Sequence, residues 1–441
     1  MINLFDNYTQ SSWDLHYSLI VAGFENPTIA LNDDGFLPSD VQSPYSHYLE
    51  FENLDSRALY FNEIPVPDYW EIKATNDFGE IFNLGKKKAN IYFAAPSHNR
   101  FVRTVEWFDD SGRVRSIDRY NKFGFKFAET IVSREGKWLK TSYYNRFKKE
   151  IISENHQTGE FILSWKDRVQ LFNSKKEFVI FYLKDAGFNL DRIFYNSLST
   201  PFLVSYNLAE QGDDILFWQE KIKDSLPWNM KLLLHDQKRR TRILVQDHES
   251  YLQMQSLLGK AEQERVGFLG YMYPFKNTYT FSHQALILTN SDHIEHLEML
   301  LGALPELHFH IGAVTDMSNK LKDFAKYQNV SLYPNIAMSK VYQLLQDCSI
   351  YLDINYGKEI LSAIRAAFEN NLLIYAFTST VHNYTYINPK NCYQAEGAET
   401  MAQALKSAIS SQEAFIDQLN QQKKAAFVES ADSYQQKIGL I

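Results

Sequence analysis

A chain of 441 residues exceeds the length at which one hydrophobic core keeps growing, so two or three domains are expected. Its net charge of −8 excludes a general nucleic-acid binder, which needs a clustered basic surface to neutralise phosphates. Two cysteines, Cys348 and Cys392, are too few for a disulfide framework or a zinc site and fit a reducing compartment, while 27 Tyr and 31 Phe favour sheets and interfaces.

The opening MINLFDNYTQSSWDL lacks the basic segment and apolar run of a signal peptide, and no window approaches a spanning helix. A cytoplasmic protein is expected, with peripheral contact at the inner face of the cell membrane left open. YTQSSWDLHYSLIVAGF has apolar residues at helical spacing and ends at Gly23, ahead of the strand-like TIALND. From about Tyr45 the period changes to two, with turn signals DDSG, NKFG, REGK and QTGE between the runs, which predicts a β-meander inserted over 45–174. Its aromatics, Trp107, Phe108, Tyr120, Phe123, Phe125, Phe127, Trp138, Tyr143 and Tyr144, exceed what one sheet face needs. They serve either packing of the sheet or contact with a partner. The basic NRFKKE within it equally suits edge protection.

After the meander, EFVIFYLKD, DRIFYNS, DILFWQ and TRILVQD read as strands separated by helical segments, resuming the first α/β domain. HDQKRRTR gathers Lys238, Arg239, Arg240 and Arg242 and reads as a solvated helix end and turn, or else as a patch for an anionic partner. From Arg265 the alternation is clean: QALILTN, LHFHIGA, NVSLYPN, SIYLDIN and LLIYAFT as strands of a mainly parallel sheet, with helices between them. Ser291 and Ser339 are expected helix N-caps. His308 and His310 share a strand face, but with no third ligand at metal spacing they are expected to pack or hydrogen-bond. The tail reads as helices, the last packing back across the molecule.

YLDINYGKEILSAIRAAFENNLLIYAF, residues 351–377, reads as strand, polar turn, amphipathic helix and strand, the way open α/β sheets present a ligand crevice. Two α/β domains, the second ending in this unit, resemble the GT-B class of glycosyltransferases. MINLFDNYTQSSWDLHYSLIVAGF, DDGFLPSDVQSPYSHYL, LTNSDHIEHLE, YLDINYGKEILSAIRAAFENN and IYAFTSTVHN together resemble the stabilising subunit, of GtfB type, of the bacterial accessory-Sec O-GlcNAc transferase, over nearly the whole chain. That resemblance implies an α/β fold: a GT-B-like pair of Rossmann-like domains with an all-β meander in the first. The division expected is 1–44 and 175–262 for the first Rossmann-like domain, 45–174 for the insertion, 263–415 for the second, and 416–441 for a C-terminal helical segment. It also implies two partners: a paralogous catalytic subunit of GtfA type, which transfers GlcNAc from UDP-GlcNAc to Ser or Thr, and the unfolded serine-rich adhesin in bare and partly glycosylated form.

Related retaining enzymes carry two glutamates eight positions apart at the donor site. Laying AIRAAFENN on their helix puts Arg365 where the second belongs, and eight positions back lies Gly357. Glu359 is nearby but shifted along the turn, and errors near 1 Å already cost large rate factors. The same enzymes hold an Arg and a Lys that neutralise the departing diphosphate, usually the largest catalytic contribution. The matching stretch offers Asn290, Ser291, Asp292 and His293; an alternative register keeps Lys276 but has Tyr271 in place of Arg. No catalytic residue, cofactor or metal is therefore expected. Asn355, Tyr356, Lys358 and Glu359, on the loop after a parallel strand, and Arg365 on the helix are the expected cleft-facing or acceptor-binding residues. An autonomous retaining glycosyltransferase with rearranged residues, and a chaperone for the partner without acceptor contact, stand as alternatives.

Overall fold

The computed structural model describes residues 1–51, 56–235, 239–276 and 278–439. The chain divides into two compact units, Met1–Leu269 with Tyr434–Ile441, and Gly270–Ser433. The fold class is mixed α/β: each unit holds a parallel sheet, and the first also holds a ten-stranded antiparallel one.

In the first unit seven parallel strands run in the order Val266–Phe268, Arg239–Val245, Gly212–Trp218, Ile193–Tyr195, Ile2–Phe5, Thr28–Ala30 and Val41–Gln42. Ile2–Phe5 and Ile193–Tyr195 are buried throughout, as strands covered on both faces must be. The helix Gln10–Val21 links the first two strands, and the Thr9 hydroxyl accepts from the Ser12 amide to cap it. The meander's ten strands run in sequential order from Glu71–Ala74 to Arg168–Phe172. The helix Pro44–Leu49 precedes them, opened by Ser43 and Ser46 in a reciprocal cap.

EFVIFYLKD is a helix rather than a strand, spanning Lys175–Asp185. Its aromatic and β-branched content mimics a buried strand, yet Phe178, Val179, Tyr182 and Leu183 are the buried set, at a helical period, and Ser174 caps the Glu177 amide. The basic stretch also differs from both readings. Arg239 opens a central strand and is 1 % exposed; its guanidinium meets Asp214 through Nη2–Oδ1 at 2.6 Å and Nε–Oδ2 at 2.8 Å, and its other donors reach the Leu190, Glu210 and Gln211 carbonyls. Arg242 donates to the Lys437 and Ile438 carbonyls, and Arg192 to Ile438, so two guanidinium groups cap the final helix Ala431–Gly439. Lys238 lies outside the described residues.

The second unit has six parallel strands in the order Val330–Tyr333, His308–Ala313, Gln284–Thr289, Ile350–Asp353, Leu373–Phe377 and Cys392–Tyr393. Neither expected serine cap forms. The helix after Gln284–Thr289 begins only at Leu297, because Ser291 sits in a tight turn with its amide on the Thr289 hydroxyl; Ser339 lies inside the helix Met338–Asp347, whose cap is Ala337. His310 donates to or accepts from Tyr333 and Gln284 through its two ring nitrogens, and His308 pairs with Ser331. Among the described residues no helix is long and apolar enough to cross a membrane, and no group of three or more His, Cys, Asp or Glu is placed to hold a metal ion.

Candidate functional site

In the second unit the chain order reverses between the neighbouring strands Gln284–Thr289 and Ile350–Asp353, and ligands of open α/β sheets bind outside the carboxyl ends of such a pair. Here the two loops at that point pair with each other. The Tyr356 amide donates to the His293 carbonyl at 3.1 Å and the Glu295 amide to the Ile354 carbonyl at 2.7 Å. The Tyr356 ring stacks on His293 at 4.1 Å between centroids, and its hydroxyl donates to the Glu295 carboxylate. A Cβ at Gly357 would stand 1.7 Å from Asn290 Oδ1, the end of an exposed side chain that would have to turn away.

From the far side His382 fastens the same loop. Its backbone N–H donates to Asp353 Oδ2 at 2.8 Å, and its ring lies 2.6 Å from both Asp353 Oδ1 and the Gly357 carbonyl. Burial works against the imidazolium, but the carbonyl and the carboxylate outweigh it and hold the His382 pKa above its ordinary value.

The five residues expected from sequence separate. Asn355 is buried, bridged to Ile294. Tyr356 and Lys358 have exposed side chains. Glu359 accepts the Ile364 amide at 3.1 Å, capping the helix Ala363–Glu369 where Ser362 makes no cap bond. Arg365 points to Glu369, Nε–Oε1 2.7 Å, within the same helix, and lines a 190 Å³ groove that Lys276 also borders. A cation already paired in this way has little field left for a phosphate.

The first unit is open by contrast. A cavity of about 470 Å³ lies between the loops at the carboxyl ends of Ile2–Phe5 and Thr28–Ala30 and one face of the meander, within the range of small-molecule sites. On the loop side Asn32 donates to Asp6 and Asn7, and the Lys175 ammonium, at the start of its helix, donates to Asn32. Burial lowers the Lys175 pKa. Tyr8 bonds His16 at 2.8 Å, whose other nitrogen meets Thr28 at 3.0 Å; burial keeps that imidazole below its usual pKa. Asp33 is pushed up to about 6, chiefly by burial, against hydrogen bonds from Ser43 and the Gly35 amide that favour its charged form. Gly35, at φ +88°, lets this loop press on the meander, since a Cβ there would sit 2.6 Å from the Tyr120 carbonyl oxygen.

On the sheet side Tyr143 stacks on Tyr45 at 4.5 Å and donates to Glu154 at 3.0 Å, while Thr141 meets His156 at 2.7 Å. The Trp138 indole is 44 % exposed, with the Arg119 guanidinium 5.1 Å from its ring. Of the nine aromatics singled out in sequence, Phe127 is fully buried and Tyr120 and Tyr143 nearly so, and Tyr143 and Trp138 line this cavity. Amides, hydroxyls, both signs of charge and aromatic faces converge here, a set suited to peptide backbone and hydroxyl-bearing ligands. Asn7, Tyr8, Asn32, Asp33 and Lys175 were not picked out in sequence. The signal available was their position just after the first two parallel strands.

Family models match four segments: the GtfB N-terminal domain at 2–48, the GtfB middle domain at 70–173, the GtfB third domain at 175–257 and the GftB/GlyA-F C-terminal domain at 285–422. A Streptococcus agalactiae protein, the UDP-N-acetylglucosamine–peptide N-acetylglucosaminyltransferase stabilizing protein GtfB, is 42 % identical over 440 residues, covering 100 % of this chain and 99 % of that one. A chain in the crystal structure of a GtfA/B complex bound to UDP and GlcNAc superposes with a TM-score of 0.95 at 39 % identity, covering 100 % and 99 %. The pneumococcal O-GlcNAc transferase GtfA, in complex with UDP and GlcNAc, shares the fold at a TM-score of 0.51 and 13 % identity, over 99 % of this chain and 98 % of its own.

Proposed function

This chain belongs to the GtfB family, and from that premise we propose that it is the noncatalytic, acceptor-binding and stabilising subunit of a protein O-GlcNAc transferase complex. Its partner is a GtfA-type catalytic subunit, and its acceptor is the unfolded serine-rich repeat adhesin, modified before accessory-Sec export. The observation that carries this is the pairing of the Asn290–His296 and Ile354–Gly357 loops across the strand-order reversal of the second unit, which fills the place of a sugar-nucleotide donor with the chain's own atoms. The open polar and aromatic cavity of the first unit supports the acceptor role. Of the five residues expected from sequence, Tyr356, Lys358 and Glu359 are exposed, and Lys358 is the one with no side-chain bond among the described residues that could meet a bound acceptor. The five-part division of the chain is proposed on the same footing.

Holding a disordered acceptor costs ordering entropy, and a second subunit offsets it by raising the effective concentration of hydroxyls beside the catalytic site. Binding only the folded partner also stabilises it by mass action. The test is transfer from UDP-GlcNAc to a Ser/Thr-rich peptide by the purified chain, by a GtfA-type subunit, and by both together. The expected result is no transfer by this chain alone and faster transfer by the pair. Transfer by this chain alone makes it an autonomous transferase; stabilisation of the partner without acceptor binding makes it a chaperone.

A further inference from the structure

We infer that the cavity of the first unit is one end of a longer trough, which takes an extended, uncharged, hydroxyl-rich peptide along one face of the meander; this rests on the acceptor reading above. A second hollow of about 440 Å³ lies on the meander, and Trp138 lines both. Strand register orders the two hollows along one face. Thr104, Arg119 and Tyr143, which line the first, stand in one cross-strand row through Ala128. Glu106 and Ile117, which line the second, are opposite each other two residues further along. Val132, in the second hollow, is paired with Trp138 four residues beyond Ala128.

Four residues of strand span about 13 Å, so an extended peptide leaving the cavity lays about four more residues over this surface. Both signs of charge are present there: Glu106 and Glu135 accompany Arg113 and Arg134, and Arg113 is shared with Asp109 at 3.1 Å. A strongly charged segment gains nothing from such a lining, whereas a neutral one meets it without leaving a charge unpaired. Trp138, exposed between the two hollows, offers an apolar plane against which one residue of the peptide can lie.

The experiment is calorimetric titration of the full-length chain with synthetic Ser/Thr-Ala peptides of two lengths, a tetrapeptide and a nonapeptide. The nonapeptide is expected to bind about tenfold more tightly. Val132→Asp removes that gain and leaves the tetrapeptide affinity unchanged. Because Val132 is half-buried, Arg134→Ala, an exposed change, serves as the second variant and removes part of the gain. Trp138→Ala weakens the nonapeptide, and Trp138→Phe restores it. Affinity independent of length, or a gain that survives both Val132→Asp and Arg134→Ala in folded protein, overturns the trough alone. A chain that binds neither peptide overturns the acceptor reading, and the trough with it.

Discussion

The two units treat the carboxyl ends of their parallel strands in opposite ways. In the first, the loops after Ile2–Phe5 and Thr28–Ala30 lean on the meander and leave a cavity of about 470 Å³. In the second, the loops after Gln284–Thr289 and Ile350–Asp353 hydrogen-bond to each other, and the groove bordered by Leu288, Leu361 and Arg365 is smaller, about 190 Å³. The difference lies in what each loop is given to rest against. Gly35 rests on a sheet that holds the loop from outside; Gly357 rests on its opposite loop, so support and occlusion are the same contact. Self-pairing of loops can close a binding crevice as readily as a change in its charged residues.

The largest way to break this contrast is to remove the frame of the open side. Arg239→Ala leaves Asp214 buried without its cation, which is expected to cost about 3–5 kcal/mol. Urea unfolding should show the loss, with peptide binding falling alongside. A change within an exposed ion pair such as Lys86–Asp110 should leave the urea midpoint almost unmoved.

The closed side is probed by Gly357→Ala. The added methyl displaces the exposed Asn290 side chain, and a loss of under about 1 kcal/mol is expected, relieved by Asn290→Ala in the same chain. On the proposed noncatalytic reading, UDP-GlcNAc binding, followed by calorimetry, is expected to be absent from the parent chain and from both variants. Binding gained by either variant would mean that occlusion alone silences the donor site.

Two pH effects sharpen the contrast further. Asp33 has a folded pKa of about 6, above its unfolded value, so the folded state binds the extra proton. Stability of the first unit should fall as pH rises through the window from about 4 to 6, and Asp33→Asn should flatten that slope in thermal unfolding. His382 is the smaller case. Its pKa is raised in the fold, so its contribution is full below about pH 6.5 and is lost as pH climbs through the folded value. His382→Gln should remove that decline from a melting curve taken at several pH values.

Much of the fold was legible. Fully buried parallel strands such as Leu373–Phe377 are continuous apolar runs, and hairpin turns such as Asp109–Gly112 declare themselves through Asp, Ser and Gly. The Lys175–Asp185 helix was misread because aromatic residues at a helical period look strand-like when counted by type. Arg239 was misread because local charge says nothing about a carboxylate 25 residues away. At the candidate site, the loop of Tyr356 and the helix of Arg365 could be placed from the strand–turn–helix pattern. The zipping of Asn355 and Tyr356 onto residues some 60 positions earlier could not, since it depends on which strands become neighbours. The cavity of the first unit was hidden for the same reason, being assembled from two strand-end loops and a sheet encoded far downstream.

The clamp of Arg192 and Arg242 on the last turn of Ala431–Gly439 also sets a schedule. The first unit includes Tyr434 onward, so during synthesis it waits for a closing piece that emerges only after all of Gly270–Ser433 has been made. At ribosomal speeds that delay is roughly 10–30 s, during which the nascent N-terminal half lacks the carbonyl partners that the last helix brings to Arg192 and Arg242.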